Sequence, residues 1–110
     1  MKLKVIATLL ATAAAATLAA GAHAADPKAA EALAKANGCL ACHTVDKKLV
    51  GPGYQEIADK YRKDKGAEAN LIKKVKAGGK GVWGDVPMPP NAHVKDQDIK
   101  TMVQWILSIK

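Results

Sequence analysis

The sequence predicts a small, single-domain, all-α fold of about four helices. Apolar residues recur at helical spacing in four stretches, glycine and proline separate these stretches, and no stretch has the alternating pattern of a β-strand. The chain has 110 residues and can hold at most one small domain. A large multidomain enzyme is therefore excluded.

Residues 1–24 have the three-part pattern of a secretory signal peptide. Lys2 and Lys4 form a basic start, an Ala-rich apolar stretch covers residues 5–20, and residues 22–24 read Ala-His-Ala, an A-x-A cleavage site. The apolar stretch is shorter than the roughly 20 residues of a membrane-spanning helix. We predict cleavage after Ala24, which leaves a domain of residues 25–110 in the periplasm; an uncleaved anchor is the alternative.

The chain is basic, with 17 Lys and Arg, 10 Asp and Glu, and a formal charge of +7. Cleavage would remove two lysines and no acidic residue, and so leave a charge of +5. This charge favours partners with acidic surfaces. Nucleic acid is a poor candidate because the leader directs the chain out of the cytoplasm. Two lysine clusters are candidate docking patches, or simply solvated helix faces: Lys60, Lys63, Lys65 and Lys73, Lys74, Lys76.

The first helix is predicted from Pro27 to about Asn37. Asp26 can cap its N-terminus, proline suits the first helical position, and Gly38 can end the helix with a positive φ. Ala30 and Ala34 recur at helical spacing, so this helix has a face of small residues that favours close packing.

The middle of the chain predicts a shaped loop followed by two short helices. The loop covers residues 44–53 and contains a Gly-Pro-Gly sequence that interrupts regular structure. A second helix begins at Tyr54 and ends between residues 62 and 66. A third covers about Ala67 to Ala77, and the two glycines that follow stop it.

The last part of the chain predicts a long irregular loop and a final helix. Residues 78–95 contain four glycines and three prolines, and structureless loops of this length are usually functional. The final helix covers about Asp96 to Ile109, and Val94 can staple its start. Its apolar face consists of Ile99, Met102, Val103, Ile106 and Leu107.

A domain of this size has too few large apolar side chains for an ordinary core. It buries only about 60–65% of the surface that its unfolded chain exposes. The mature part has four aromatic residues: Tyr54, Tyr61, Trp83 and Trp105. A flat bound cofactor would supply the missing apolar volume.

Residues 39–43 form a C-x-x-C-H motif, the attachment sequence of c-type haem. Two thiols spaced by about one helical turn can form thioethers with the two vinyl groups at one porphyrin edge. The imidazole of His43 is then placed under the iron. Thioredoxin-type, disulfide and zinc interpretations of Cys39 and Cys42 are the alternatives, and the βαβ pattern or the further ligands they need are absent from the sequence.

Three residues are candidates for the sixth iron ligand. Met88 is favoured because prolines on both sides restrict the backbone and can hold a thioether without regular structure. Met102 is on the apolar face of the final helix, where a core methionine is expected. His93 follows Met88 by five residues and is otherwise read as an exposed loop histidine. An open coordination position is the remaining alternative.

Five segments carry a resemblance to a known family. They are residues 39–43, 50–52 (Val-Gly-Pro), 81–84 (Gly-Val-Trp-Gly), 86–91 (Val-Pro-Met-Pro-Pro-Asn) and 105–107 (Trp-Ile-Leu). Together they closely resemble the bacterial class I cytochromes c of the c551/c552 type, over nearly the whole mature chain. The resemblance implies a small all-α electron carrier with one haem c, covalently bound through Cys39 and Cys42. It also implies His43 and Met88 as axial ligands.

The same resemblance implies roles for residues around the haem. The carbonyl of Pro52 would accept the imidazole N–H of His43, the indole of Trp83 would bind a haem propionate, and Asn91 would lie near the methionine loop. Trp83 as a plain core aromatic and Asn91 as a plain turn residue are the alternatives. The sequence departs from the family at two positions. Lys95 stands where a helix-capping Ser is common, and Gly53 where a larger residue is common.

Two protein ligands would leave the iron no vacancy for O₂ or peroxide, which disfavours catalysis at the metal. We therefore predict a monomeric, non-enzymatic carrier that exchanges single electrons with redox proteins by outer-sphere transfer. Methionine ligation raises its reduction potential relative to two nitrogen ligands. The alternatives are a haem sensor or peroxidase with a labile methionine, and an interaction module without a cofactor.

Overall fold

A computed structural model describes residues 26–110, and the predicted signal peptide lies outside these residues. The described part has four α-helices and one short 3₁₀ helix. They are α1 (Pro27–Ala36), the 3₁₀ helix (Cys39–Ala41), α2 (Tyr54–Tyr61), α3 (Ala67–Ala77) and α4 (Asp96–Ser108). Between residues 26 and 110 the only extended pairings are two isolated bridges, so the all-α prediction is confirmed. No helix in this range has the length and apolar character needed to span a membrane.

Helix α1 begins at its predicted residue, Pro27, and ends at Ala36, one residue before the predicted end. The Asp26 carboxylate accepts a hydrogen bond of 3.0 Å from the amide of Lys28, and Gly38 follows the helix with a φ of 75°. Ala30 and Ala34 are both buried, and they pack against α4. Small side chains at these two positions allow the close approach of the two helices.

Helix α4 is the centre of the fold and packs against each of the other three helices. Ile99 is fully buried, and Met102, Val103 and Trp105 are buried beside it. The ring of Trp105 meets the ring of Tyr54 edge to face, with centroids 5.5 Å apart. These contacts fix the first residue of α2 against the core.

The start of α4 is secured without a capping side chain. Lys95 occupies the N-cap position with extended backbone and makes no capping hydrogen bond. Val94 is buried in the same apolar cluster as Ile99, so the predicted hydrophobic staple is confirmed. The Lys76 ammonium donates to the Val94 carbonyl and lies 2.8 Å from the Asp96 carboxylate. The helix therefore begins at its predicted residue.

The predicted loop of residues 44–53 folds back on itself. The Gly51 amide donates to the Cys42 carbonyl and the Tyr54 amide to the Thr44 carbonyl, both at 2.8 Å. Gly53 is buried, and a Cβ there would lie 2.8 Å from the carbonyl group of Lys47. The close approach of two backbone segments explains why a glycine stands at this position.

Candidate functional site

The C-x-x-C-H motif forms one tight turn directly after α1. The Cys42 and His43 amides both donate to the Cys39 carbonyl, at 3.2 and 3.0 Å. Two thiols and an imidazole are thereby gathered within five residues. Both cysteines are half-buried and neither forms a disulfide. Burial raises the pKa of the free Cys39 thiol.

The imidazole of His43 is held by a backbone carbonyl on one side. Its Nδ1 lies 2.7 Å from the carbonyl oxygen of Pro52. Because a carbonyl oxygen can only accept, Nδ1 carries the proton in this hydrogen bond. The other ring nitrogen, Nε2, then keeps its lone pair and is available as a metal ligand.

Two further residues fix the plane of this ring. The phenol ring of Tyr54 stacks on the imidazole, with centroids 5.3 Å apart and an interplanar angle of 22°. Gly51 lies so close that a Cβ on it would approach the imidazole Cε1 to 2.7 Å. The imidazole therefore fits tightly between a backbone segment and an aromatic ring.

The sequence patterns alone assign no site role to Gly51 or Tyr54. Gly51 belongs to the Val-Gly-Pro segment of the resemblance and interrupts regular structure, but it has no assigned role there, and Tyr54 is predicted only as an apolar helical residue. Their closeness in sequence to Pro52 is the signal that could have found them, since they flank the segment whose carbonyl meets the imidazole.

A cavity of about 430 Å³ extends from the imidazole across the face of α4. Its volume is within the range of about 300–1,000 Å³ that is typical of small-molecule sites. Apolar residues of α2, α3 and α4 form its walls, among them Ile57, Leu71 and Ile99. The cavity is also lined by six of the predicted site residues: Cys39, Cys42, His43, Pro52, Trp83 and Met88.

Met88 lies on the long loop between α3 and α4 and lines the cavity. It is half-buried, and its amide and carbonyl groups both bond to Gly79, at 2.8 and 3.0 Å. Gly78, with a φ of 71°, ends α3 immediately before this pair. Two glycines thus join the segment of residues 86–91, here the methionine segment, to the end of α3.

Asn91 ties the other side of the methionine segment to α3. Its side-chain amide donates to the carbonyls of Val75 and Pro89, and its backbone amide also donates to Val75. Carbonyls in the last turn of a helix have no partner within the helix, so Asn91 satisfies one of them. It does not line the large cavity but a smaller one of about 90 Å³ beside Met88 and Cys42.

The other two candidate ligands differ from Met88 in their surroundings. His93 is exposed and is not among the lining residues of the large cavity. Met102 does line it, but its side chain is buried among the apolar residues of α4, as expected for a core methionine. Of the three candidate ligands, Met88 is the one that both lines the cavity and lies outside a helix.

The lysines of α3 do not form one solvated face. Lys73 is exposed, whereas Lys74 is half-buried and lines the cavity. Lys76 is half-buried and bound to Val94 and Asp96. The candidate docking patch of Lys73, Lys74 and Lys76 is therefore divided among three different environments.

The chemistry of the lining residues fits a covalently attached haem. Two thiols lie at one edge, a nitrogen and a thioether sulfur line the same space, and the walls are apolar, which is the combination that c-type haem requires. Trp83 lines the same cavity, is 36% exposed, and makes no side-chain hydrogen bond to another residue of the range 26–110. Over the same residues, no three His, Cys, Asp or Glu side chains are grouped in a way that could hold a metal ion.

Comparison with known proteins decides the family. The family model described as Cytochrome c matches residues 27–110, which is nearly all of the described chain. The chain belongs to the cytochrome c family. This cytochrome is of the class I, c551/c552 type, and it carries one haem c bound through Cys39 and Cys42. It is a monohaem electron carrier and therefore has redox partners.

Individual relatives cover most of the chain. Cytochrome c-551 of Pseudomonas aeruginosa is 50% identical over 93 residues, which are 84% of this cytochrome and 86% of the relative. Cytochrome c-551 of Allochromatium vinosum is 54% identical over 77 residues, 70% of this chain and 82% of the relative. The crystal structure of Nitrosomonas europaea cytochrome c552 matches with a TM-score of 0.70 and 49% identity, covering 73% of this chain and 99% of that one.

Proposed function

We propose that this cytochrome is a periplasmic, monomeric, non-enzymatic carrier of single electrons between respiratory redox proteins, with His43 and Met88 as axial ligands. One observation carries the proposal. His43 and Met88 line one cavity. The imidazole of His43 donates to the Pro52 carbonyl, and the backbone of Met88 is paired with that of Gly79. A ligand that is held before it binds loses little conformational freedom on binding.

Each residue of the site has a distinct task. The Cys39 and Cys42 sulfurs hold the cofactor covalently, and bound haem supplies an iron that changes valence by one electron. Pro52 accepts the Nδ1 proton of His43, which orients the ring and makes Nε2 a stronger donor. The indole N–H of Trp83, which has no hydrogen-bond acceptor within residues 26–110, is suited to a propionate oxygen. Asn91 and Gly79 hold the methionine segment.

This set of residues supports electron transfer better than catalysis. With His43 and Met88 both committed as ligands, the chain leaves no coordination position for a substrate. The apolar walls would keep water from much of a bound haem, which limits the rearrangement that accompanies a change of its charge. The positive charge favours encounter with acidic surfaces of partner proteins, through fields that salt weakens.

The ligand set is tested with Met88→Ala in the haem-loaded protein. We expect loss of the weak red absorption band of methionine-ligated ferric haem, and ready CO binding by the reduced variant at neutral pH. Met102→Leu, a volume-conserving change in the core, is the matched control and keeps the band. If the band persists in Met88→Ala, another residue is the ligand. Ready CO binding by the reduced wild type would favour a sensor or peroxidase instead.

The location is tested by expression with the full leader. We expect the haem-stained protein in the periplasmic fraction, with a mass that begins at Ala25. A protein that stays in the membrane fraction with residues 1–24 attached would show that the leader is an anchor. Size-exclusion chromatography of the same preparation tests the monomer.

A further inference from the structure

The Lys60 ammonium connects two separate parts of the cavity wall. Its Nζ lies 5.7 Å from the centroid of the Trp83 ring and 5.8 Å from that of the Tyr61 ring. Both distances are within the roughly 6 Å at which a cation is attracted to an aromatic face. Tyr61 ends α2, whereas Trp83 lies on the long loop before Met88, and both rings line the cavity.

The segment of residues 80–87, here the tryptophan turn, has few other attachments. Its one internal backbone bond joins the Gly81 amide to the Gly84 carbonyl, at 2.8 Å. Among the hydrogen bonds and ion pairs of residues 26–110, none joins the tryptophan turn to a helix. Val82 and Val86, on either side of Trp83, are 53% and 64% exposed. Among these polar contacts, only the one between Lys60 and Trp83 links the tryptophan turn to α2.

The neighbouring charges leave Lys60 free for this contact. Asp59, the adjacent carboxylate, pairs with Arg62 at 2.9 Å and also accepts from Gln55. No ion pair within residues 26–110 includes Lys60. Its long side chain therefore places the ammonium over the rings without competition from a carboxylate.

We infer that Lys60 is a positioning residue for the methionine ligand. Its ammonium holds the Trp83 ring against the end of α2, and thereby restrains the tryptophan turn that leads into Met88. When this contact is lost, the turn separates from α2 more often, and Met88 is displaced from the cavity more often with it. The inference rests on the proposed ligation by Met88.

The test measures how often the methionine segment moves away and leaves the iron without its Met88 ligand. In the haem-loaded ferric protein, cyanide can bind only when the methionine has left, so its binding rate at fixed cyanide concentration reports opening. Four proteins are compared by stopped flow: wild type, Lys60→Met, Lys60→Arg and Lys63→Met. Lys63 is an exposed lysine just beyond α2, and its replacement removes the same charge without touching Trp83.

We expect cyanide to bind Lys60→Met about two- to fivefold faster than wild type, the factor that loss of an exposed cation–π contact implies. Lys60→Arg keeps a cation over the rings and should restore the wild-type rate, and Lys63→Met should match wild type. The equilibrium constant for urea unfolding should rise by about the same two- to fivefold factor in Lys60→Met relative to Lys63→Met, because the open and the unfolded states both lack the contact.

Equal cyanide rates in Lys60→Met and Lys63→Met would overturn the inference, as would a rate for Lys60→Arg as fast as that of Lys60→Met. The weak red band, recorded on each protein, separates this result from a failure of the proposed function. If the band is present in wild type, methionine ligation stands and only the role of Lys60 is lost. If wild type lacks the band, the ligation and the inference both fail.

Discussion

Gly79 and Met88 form a reciprocal backbone pair, with the Met88 amide 2.8 Å from the Gly79 carbonyl and the Gly79 amide 3.0 Å from the Met88 carbonyl. Gly79 lies two residues beyond the end of α3, so the position of Met88 is set by that helix. The preceding residue, Gly78, allows the approach because a Cβ there would lie 2.5 Å from the Met88 carbonyl oxygen. The proposed ligand thus depends on glycines nine and ten residues earlier in the chain.

Replacing Gly78 by Ala should displace the methionine segment. The new methyl group meets the Met88 carbonyl, and the φ of 71° is unfavourable for alanine. We expect a loss of about 2–3 kcal/mol in the free energy of unfolding, from backbone strain plus the clash, together with a weaker red band. Urea titration and the visible spectrum measure the two effects.

Gly81→Ala is the control for this experiment. Gly81 also has a positive φ, of 108°, but no atom lies within 4 Å of the place that a Cβ would occupy. The Gly81→Ala variant should lose stability through backbone strain and keep a full red band. A band that weakens equally in both variants would contradict the specific contact between Gly78 and the Met88 segment.

Gly51→Ala should disturb the imidazole. A methyl group at this position would approach the Cε1 of His43 to 2.7 Å and force the ring away from the Pro52 carbonyl. A longer hydrogen bond leaves Nε2 a weaker donor, which stabilises ferric iron less, so the reduction potential should rise. We expect a loss of about 1–3 kcal/mol in unfolding free energy as well, as for other crowded sites.

Gly66→Ala is the matched control for Gly51→Ala. The nearest atoms to a Cβ on Gly66 are at 3.5 and 3.6 Å, an ordinary contact distance, and its φ is −88°. The reduction potential and the free energy of unfolding of Gly66→Ala should stay near those of wild type. If redox titration gives Gly51→Ala the wild-type potential, the tight fit of the imidazole has no influence on the iron.

The elements that the sequence predicted well are those with local signals. Asp26, Pro27 and Gly38 mark the ends of α1 within a few residues, and the C-x-x-C-H motif needs only its own turn. The limits of α3 and the start of α4 agree with the structure. Prolines beside Met88 indicated a fixed segment, although the fixing bonds come from Gly79.

Contacts between distant segments could not be predicted in this way. The lysines of α3 have one pattern in the sequence, yet Lys76 meets residues that follow it by about 20 positions and Lys74 lines the cavity. Lys60 and Trp83 are 23 positions apart and meet only because α2 and the long loop border one cavity. Such pairs depend on how the helices pack, which local spacing does not determine.

Stability at alkaline pH should depend on Tyr54. Burial raises the pKa of its phenol above the usual value of about 10, so the folded protein keeps the neutral form where the unfolded chain ionises. Below pH 10 both states are neutral and the full stability is present. Above it the unfolded chain releases a proton first, and the free energy of unfolding falls by up to about 1.4 kcal/mol per pH unit.

The comparison of Tyr54→Phe with wild type isolates this effect, because other groups titrate in both proteins. The wild type should lose more stability than Tyr54→Phe between pH 9 and 11.5, measured by urea unfolding of the haem-loaded protein at each pH. Tyr61→Phe, which keeps Tyr54, should follow wild type. Parallel curves for wild type and Tyr54→Phe would show that burial of Tyr54 does not control its ionisation.

Replacing Lys95 by Ser should stabilise the protein. Lys95 occupies the N-cap of α4 with φ of −61° and ψ of 139°, a backbone that suits a capping residue, but its side chain makes no capping bond. The bonds of Lys76 go to the Val94 carbonyl and the Asp96 carboxylate and leave the first helical N–H groups without a side-chain acceptor. A serine hydroxyl can accept from one of them, which contributes about 1 kcal/mol.

Lys95→Ala separates this cap from the loss of a positive charge at the helix N-terminus, where cations are unfavourable. We expect Lys95→Ser to exceed Lys95→Ala by about 1 kcal/mol in the free energy of unfolding, from urea titration of the haem-loaded proteins. The red band should be unchanged in both, since α4 begins eight residues after Met88 and is anchored separately by Val94. Equal stabilities of Lys95→Ser and Lys95→Ala would mean that water already satisfies the first N–H groups of α4. The absence of a capping serine at position 95 would then have no effect on stability.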